Sequence, residues 1–368
     1  MGTTTAVNSL QTEKQQRSTA ESRAYRSMCE LMLYSQLVLY GTLAVLPKAG
    51  SASWWMAGAL VLPALAIGGI VRWARRGGLE MGETLLKGLG SKGRAAAGIL
   101  YGLLLGADIQ WALSGLTELT ASFVIEDGGV WQLAPWGAVA GIAAVCLGRE
   151  MGVARCCYLL RWLLAAVLVG CVIAALPMGD AVHLFPWQFE GLETDIKQLW
   201  GWSAGLWPMV LIGAAPGGAR SGHAREFRSV LCAIAGVLLL FFGYCFVLPP
   251  QTFLLPMTWG ERMVVFLRAT PSKLIWELLI IFKMTVMLLN ICAAASLAGR
   301  LLTRWTFPKV HPGLWAAGLI LAALPLAANH TWRGQEILSA IGPWRLPLAL
   351  APVAAAGPLR RIKERRGA

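Results

Sequence analysis

The sequence predicts an all-α integral membrane protein: ten transmembrane helices in an inverted 5+5 repeat, helices one and six broken, both termini cytoplasmic. Three observations carry this. The 368-residue chain is 57% apolar and only 14% charged, where a soluble domain ordinarily holds about 25% charged residues. Ten apolar runs are long enough to cross a bilayer, at about 28–46, 54–71, 95–116, 130–147, 158–176, 199–215, 230–248, 274–297, 314–327 and 337–356. Finally, the 32 Lys and Arg residues segregate. The N-terminal tail, every second loop with its adjoining span ends, and the C-terminal tail hold 24; the alternate side holds 7, and Lys283 lies within a span. Translocating Lys or Arg is unfavourable, so the richer side is cytoplasmic.

Taken in order, residues 1–27 form a polar tail rich in Gln, Ser and Thr, expected to be disordered. Residues 28–356 are the membrane domain. Five spans followed by five more invert the second half relative to the first, and such a plan asks for breaks near the middle of spans one and six. Span one carries Tyr40-Gly41-Thr42, and span six carries Gly201-Trp202-Ser203-Ala204-Gly205 ahead of Pro208. Gly and Pro weaken a helix, and hydroxyls satisfy freed backbone groups. Gly in membrane helices also serves plain close packing. Between spans two and three, Arg72, Arg75, Arg76, Lys87, Lys92 and Arg94 make a basic, Gly-rich cytoplasmic loop. The outer segments near 177–198 and 249–273 are long enough for a short helix or lid. Residues 357–368 are a basic cytoplasmic tail with Arg360, Arg361, Lys363, Arg365 and Arg366.

Composition excludes several functions. The net charge of +13 is spread over loops without a base-reading motif, so it fits anionic lipid head groups and no nucleic acid. The eight Cys lie in or beside apolar runs without metal-ligand spacing. Most of the 17 Trp fall near span ends, where indoles anchor at the head-group boundary. No nucleophile–base pair, nucleotide loop or metal cluster is visible, so neither an enzyme nor a cofactor is expected.

Ionisable groups at bilayer depth are functional candidates by default. Asp108 lies about two-thirds along span three, and Lys283 about nine residues into span eight. As repeat counterparts of opposite sign they are expected to pair. The pair serves as a strut, as a fixed charge replacing a bound ion, or as a proton relay, and the residues alone leave these open. Asn290 returns to the face of Lys283; Ser35, Gln36, Tyr101 and Gln110 add polar groups to spans one and three. Glu277, Arg333 and Arg345 read as lying near the outer surface.

Several segments together resemble a known family. They are Tyr40-Gly41-Thr42-Leu43-Ala44-Val45-Leu46-Pro47 with Ala49-Gly50 and Trp54-Trp55, then Gly82-Glu83-Thr84-Leu85 and Leu89-Gly90. Leu147-Gly148-Arg149-Glu150 through Arg161, Leu184-Phe185-Pro186 and Phe282-Lys283-Met284-Thr285 follow in order. From about residue 31 to 302 the chain resembles the endospore germination permeases, the B subunits of germinant receptors, within the amino acid–polyamine–organocation superfamily. The resemblance implies an amino-acid-like nutrient bound at mid-membrane, with Gly41, Thr42, Tyr101, Ser203, Gly205 and Thr285 as lining candidates. It implies germinant receptor A and C subunits as partners, the spore inner membrane as location, and ion release as the readout. The alternative is a proton-linked amino acid or polyamine transporter. The chain departs from the family where Gly205 is followed by Leu206-Trp207-Pro208 rather than by an acidic residue.

Overall fold

The computed structural model describes residues 2–75, 89–123, 133–185, 192–212, 223–249, 273–328 and 341–366. The basic loop at 76–88, most of the outer segment at 250–272, Arg333 and the start of the tenth expected span lie outside the described residues.

Helix α1 spans Gly2–Tyr40. The tail expected to be disordered therefore continues the first helix. The reason is local: from Thr3 to Tyr40 the chain has no Gly or Pro, and Ala, Gln, Glu, Lys and Arg favour helix. The regular helix then gives way to a π turn over Gly41–Val45. The short α2 (Leu46–Ala49) follows and ends at Gly50, whose φ of 53° only glycine adopts readily. A 3-10 turn leads into α3 (Ser53–Ala59) and α4 (Val61–Arg75). Next come α5 (Gly90–Phe123) and the 43-residue α6 (Leu133–Ala175). α7 (Leu192–Ser203) passes through a 3-10 turn at Ala204–Leu206 into α8 (Pro208–Ile212), with Pro208 at a position that needs no N–H. The chain continues as α9 (His223–Val247), α10 (Lys273–Trp305) and α11 (Pro312–Ala328). A last 3-10 turn at Gly342–Trp344 opens α12 (Arg345–Arg366), which carries the basic tail as helix.

Among the described residues, five segments are long and apolar enough to cross a membrane: Gly50–Val71, Gly90–Thr117, Met151–Met178, Phe227–Val247 and Glu277–Trp305. Two shorter apolar segments, Pro135–Cys146 and Pro312–Leu326, accompany them. α10 is the hub, packed against α1, α5, α6 and α11. α6 covers two expected spans, and its limbs pass α10 in opposite senses. On the first limb Gly137 and Gly141 face Ile291, and Cys146 faces Gly313 beyond the far end of α10. On the second limb Leu164 and Leu168 share a cavity with Phe282 and Val286, nearer the start of α10. The lipid-facing surface is apolar: Leu159, Trp162, Leu163 and Ile173 all lie exposed on α6. All eight cysteines are free.

Candidate functional site

Three interruptions in three helices meet at one place. The π turn after α1 touches α7, and the Ala204–Leu206 turn touches both α1 and the Gly342–Trp344 turn. Their contact is made by glycines that admit aromatic rings. A Cβ on Gly41 would lie 2.5 Å from Phe241 and 2.6 Å from Trp202, so only a residue without one lets these rings in. Trp202 is fully buried and donates its indole N–H to the Leu37 carbonyl at 2.8 Å, just upstream of the π turn. Tyr40 fills the space left by Gly201 on α7 and by Gly342 on the third turn. A π turn is a rare insertion that concentrates at functional sites.

At the centre of this meeting point is an ion pair. Arg345 Nη1 lies 2.9 Å from Asp108 Oδ1, and the two side chains are 2% and 0% exposed. Arg345 also donates to Gln36 Oε1 at 3.2 Å, and its guanidinium lies 4.1 Å from the Trp111 ring centroid. Trp111 stands 6.0 Å from the Tyr40 ring, which joins the pair to the turns. The cluster therefore draws Gln36 and Tyr40 from α1, Asp108 and Trp111 from α5, and Arg345 from α12. Trp207, beside the Ala204–Leu206 turn, lies close to the Asp108 carboxylate, but its N–H is outside hydrogen-bonding geometry.

The cluster is not self-sufficient. Asp108 Oδ2, Arg345 Nε and Nη2, Gln36 Nε2 and Trp207 Nε1 are all buried with no hydrogen-bond partner among the described residues. Leaving such groups unpaired is costly, more so when they are charged. Ser35 on α1 and Asn290 and Ser296 on α10 add further unpartnered buried polar atoms.

The expected site residues are redistributed. Arg345, not Lys283, is the cation that meets Asp108. The reason is depth: the Gly342-Pro343-Trp344 turn starts α12 at Arg345 inside the bundle, where an apolar run had suggested a residue near the surface. Lys283 is buried and donates a hydrogen bond to the Tyr244 hydroxyl on α9. Four of the expected lining residues serve packing or their own helix instead. Thr42 donates to the carbonyls of Val38 (2.8 Å) and Leu39 (3.1 Å), and Ser203 to that of Trp200 (2.6 Å). Thr285 bonds to the Ile281 carbonyl at 2.7 Å. Tyr101 reaches across to the Ala349 carbonyl at 2.8 Å, tying α5 to α12. Gly205 and Gly41 sit at the interruptions, yet their open faces are filled, by Leu37 and by Trp202 with Phe241. In place of an open cleft between helices one and six, the structure has a closed polar cluster one layer away. The Gly342-Pro343 step inside an apolar run is the signal by which Arg345 could have been found.

A cavity of about 100 Å³ opens elsewhere, between α1, the second limb of α6, α9 and α10. Its mouth carries Glu30 and Arg161 with the buried Ser27 behind them, and apart from Tyr34 its interior is apolar. Arg161 Nη1 lies 3.6 Å from Glu30 Oε2, with side chains 28% and 18% exposed.

No family model matches the sequence, and no curated protein does. Solved structures do. A manganese transporter of Eremococcus coleocola, crystallised as a mutant, superimposes with a TM-score of 0.61 at 11% identity, over 90% of this chain and 78% of that one. At that identity the likeness speaks for the fold alone. The chain is a multi-pass membrane protein with a transporter-like helical fold.

Proposed function

We propose that this protein binds a small zwitterionic solute, amino-acid-like in chemistry, at the Asp108–Arg345 cluster. The carrying observation is the set of unpaired buried atoms on both charges. A solute carboxylate would take the free N–H groups of Arg345, whose planar fork suits it. A solute ammonium would take Asp108 Oδ2. Each partner offers what the other lacks, and binding removes the penalty of leaving charges unmatched. The guanidinium beside Asp108 is unfavourable for a divalent cation, and among the described residues no group of three or more His, Cys, Asp or Glu could hold one. At 11% identity the manganese of the structural neighbour is said of that protein alone.

With the resemblance to germination permeases, the finer reading is a nutrient-sensing subunit of a germinant receptor in the spore inner membrane, acting with A and C subunits. Closure of the cluster from solvent suits a sensor that occludes its ligand and passes on a conformational change. The other reading is a secondary transporter, whose fold is the same.

The direct test is equilibrium binding of labelled amino acids to the purified protein. Arg345→Lys keeps the charge but loses the fork, and is expected to weaken binding at least about tenfold. Unchanged affinity in that variant would remove the assignment. Uptake into proteoliposomes containing this chain alone favours the transporter; binding without uptake, beside adjacent A- and C-subunit genes, favours the sensor.

A further inference from the structure

The side cavity has features that neither a sensor nor a transporter site requires. On α1 it is lined by residues between Ser27 and Tyr34, ahead of the π turn at Gly41–Val45, and the exposed Ala165 on α6 opens it to the lipid-facing surface. Trp162 and Leu163 beside its mouth are 67% and 59% exposed, and Leu231 on α9 is 37% exposed. The charge asymmetry assigns this end of the bundle to the cytoplasmic leaflet.

The polar groups are ordered by depth. At the mouth, the Arg161 guanidinium lies 4.7 Å from the Tyr158 ring and 4.8 Å from the Trp162 ring, aromatic company typical of the head-group boundary. Its Nη1 donates to Ser27 Oγ at 2.9 Å, while its Nε is buried without a partner among the described residues. Glu30 faces it across 3.6 Å, and Arg228 stands exposed one helical turn from the lining Cys232. One helical turn deeper, Tyr34 lines the cavity with a buried, unpartnered hydroxyl. Around it the walls are apolar: Leu168 meets it across Gly236, the Phe282 ring lies 6.2 Å away, and Leu164 and Val286 complete the lining.

We infer that this cavity binds one anionic phospholipid of the cytoplasmic leaflet. Its phosphate meets Arg161, its ester carbonyl accepts from Tyr34, and one acyl chain enters along the apolar wall. A cationic group at the mouth, with a hydroxyl and a hydrocarbon wall one turn further in, offers partners to the phosphate, ester and acyl chain of a glycerophospholipid. The sideways opening lets the lipid enter from the bilayer without leaving it.

The test is native mass spectrometry of the full chain in detergent doped with equal phosphatidylglycerol and phosphatidylcholine. The wild type is expected to retain one phosphatidylglycerol in preference. Arg161→Gln should lower its retention about tenfold, by loss of a charge-assisted hydrogen bond. Ala165→Trp should block entry; Ala165 is an exposed lining residue, so the larger side chain does not crowd the core. Lys309→Gln, at an exposed cation in another loop, should leave retention unchanged. Equal retention of the two lipids, or retention unaltered in both Arg161→Gln and Ala165→Trp, overturns the site. Amino acid binding at Asp108 and Arg345 is measured separately and does not depend on this result.

Discussion

Two arginine–carboxylate pairs sit in this bundle at different depths, and depth decides what each does. The Asp108–Arg345 pair is almost wholly shielded from solvent and lies at 2.9 Å. The Glu30–Arg161 pair is partly open and lies at 3.6 Å. In the deep pair neither charge has water to fall back on, so removing one strands the other. In the shallow pair solvent and lipid head groups screen both charges, and losing one is tolerated. The deep pair also organises aromatic rings from two helices, Trp111 of α5 and Tyr40 of α1, whereas the shallow pair guards an opening. A sequence shows four charges in apolar surroundings; only the fold separates a core element from a gatepost.

The comparison can be broken most sharply at the deep pair. Arg345→Met is expected to destabilise the fold by about 3–5 kcal/mol, as for other buried pairs deprived of one partner. Asp108→Asn combined with Arg345→Met should recover much of that loss, giving a coupling above about 1 kcal/mol in a double-mutant cycle followed by thermal unfolding in detergent. The same cycle between Asp108→Asn and Lys283→Met should be additive to within about 0.5 kcal/mol. Strong coupling there would restore the Asp108–Lys283 pairing read from the sequence.

A smaller effect is expected where the interrupted helices interlock. Gly41→Ala places a methyl group 2.5 Å from Phe241 and should cost about 1–3 kcal/mol through overpacking. Phe241→Leu in the same chain should relieve part of it; a neutral Gly41→Ala would show that the contact is loose. Tyr101→Phe removes the bond to the Ala349 carbonyl and should lower stability by about 0.6 kcal/mol, the usual scale for a hydrogen bond between membrane helices. Least of all, Glu30→Gln at the cavity mouth should change stability by no more than about 1 kcal/mol. A loss equal to that of Arg345→Met would erase the distinction between the two pairs.

Much of the fold was legible because bilayer constraints act on composition. Apolar length announces a crossing, and Gly or Pro inside such a length announces an irregularity, which is how Gly41 and the Gly201–Pro208 stretch could be picked out. What happens at an irregularity depends on partners that one chain position does not reveal. Gly41 and Gly205 read equally as openings or as close contacts, and the bulk of Trp202 and Leu37 decides for contact. Asp108 was identifiable from the expense of its charge, but its partner was not. Two cations, Lys283 and Arg345, were available in spans eight and ten, and the choice turned on where α12 begins. The polar tail at 1–27 shows the opposite failing, since low hydrophobicity suggested disorder while helix-favouring residues without Gly or Pro extend α1.

The fit of Tyr40 between Gly201 and Gly342 has a mechanical consequence. One phenol ring is wedged between two polypeptide segments that are distant in sequence, so a rotation of that ring displaces both together. An event at the guanidinium, two rings away through Trp111, thus reaches the segments on either side in a single step, and motion of either segment is returned to the charges. Such a linkage would let the bundle register occupancy of a few cubic ångströms as a change in its outline, available to whatever chain lies against it.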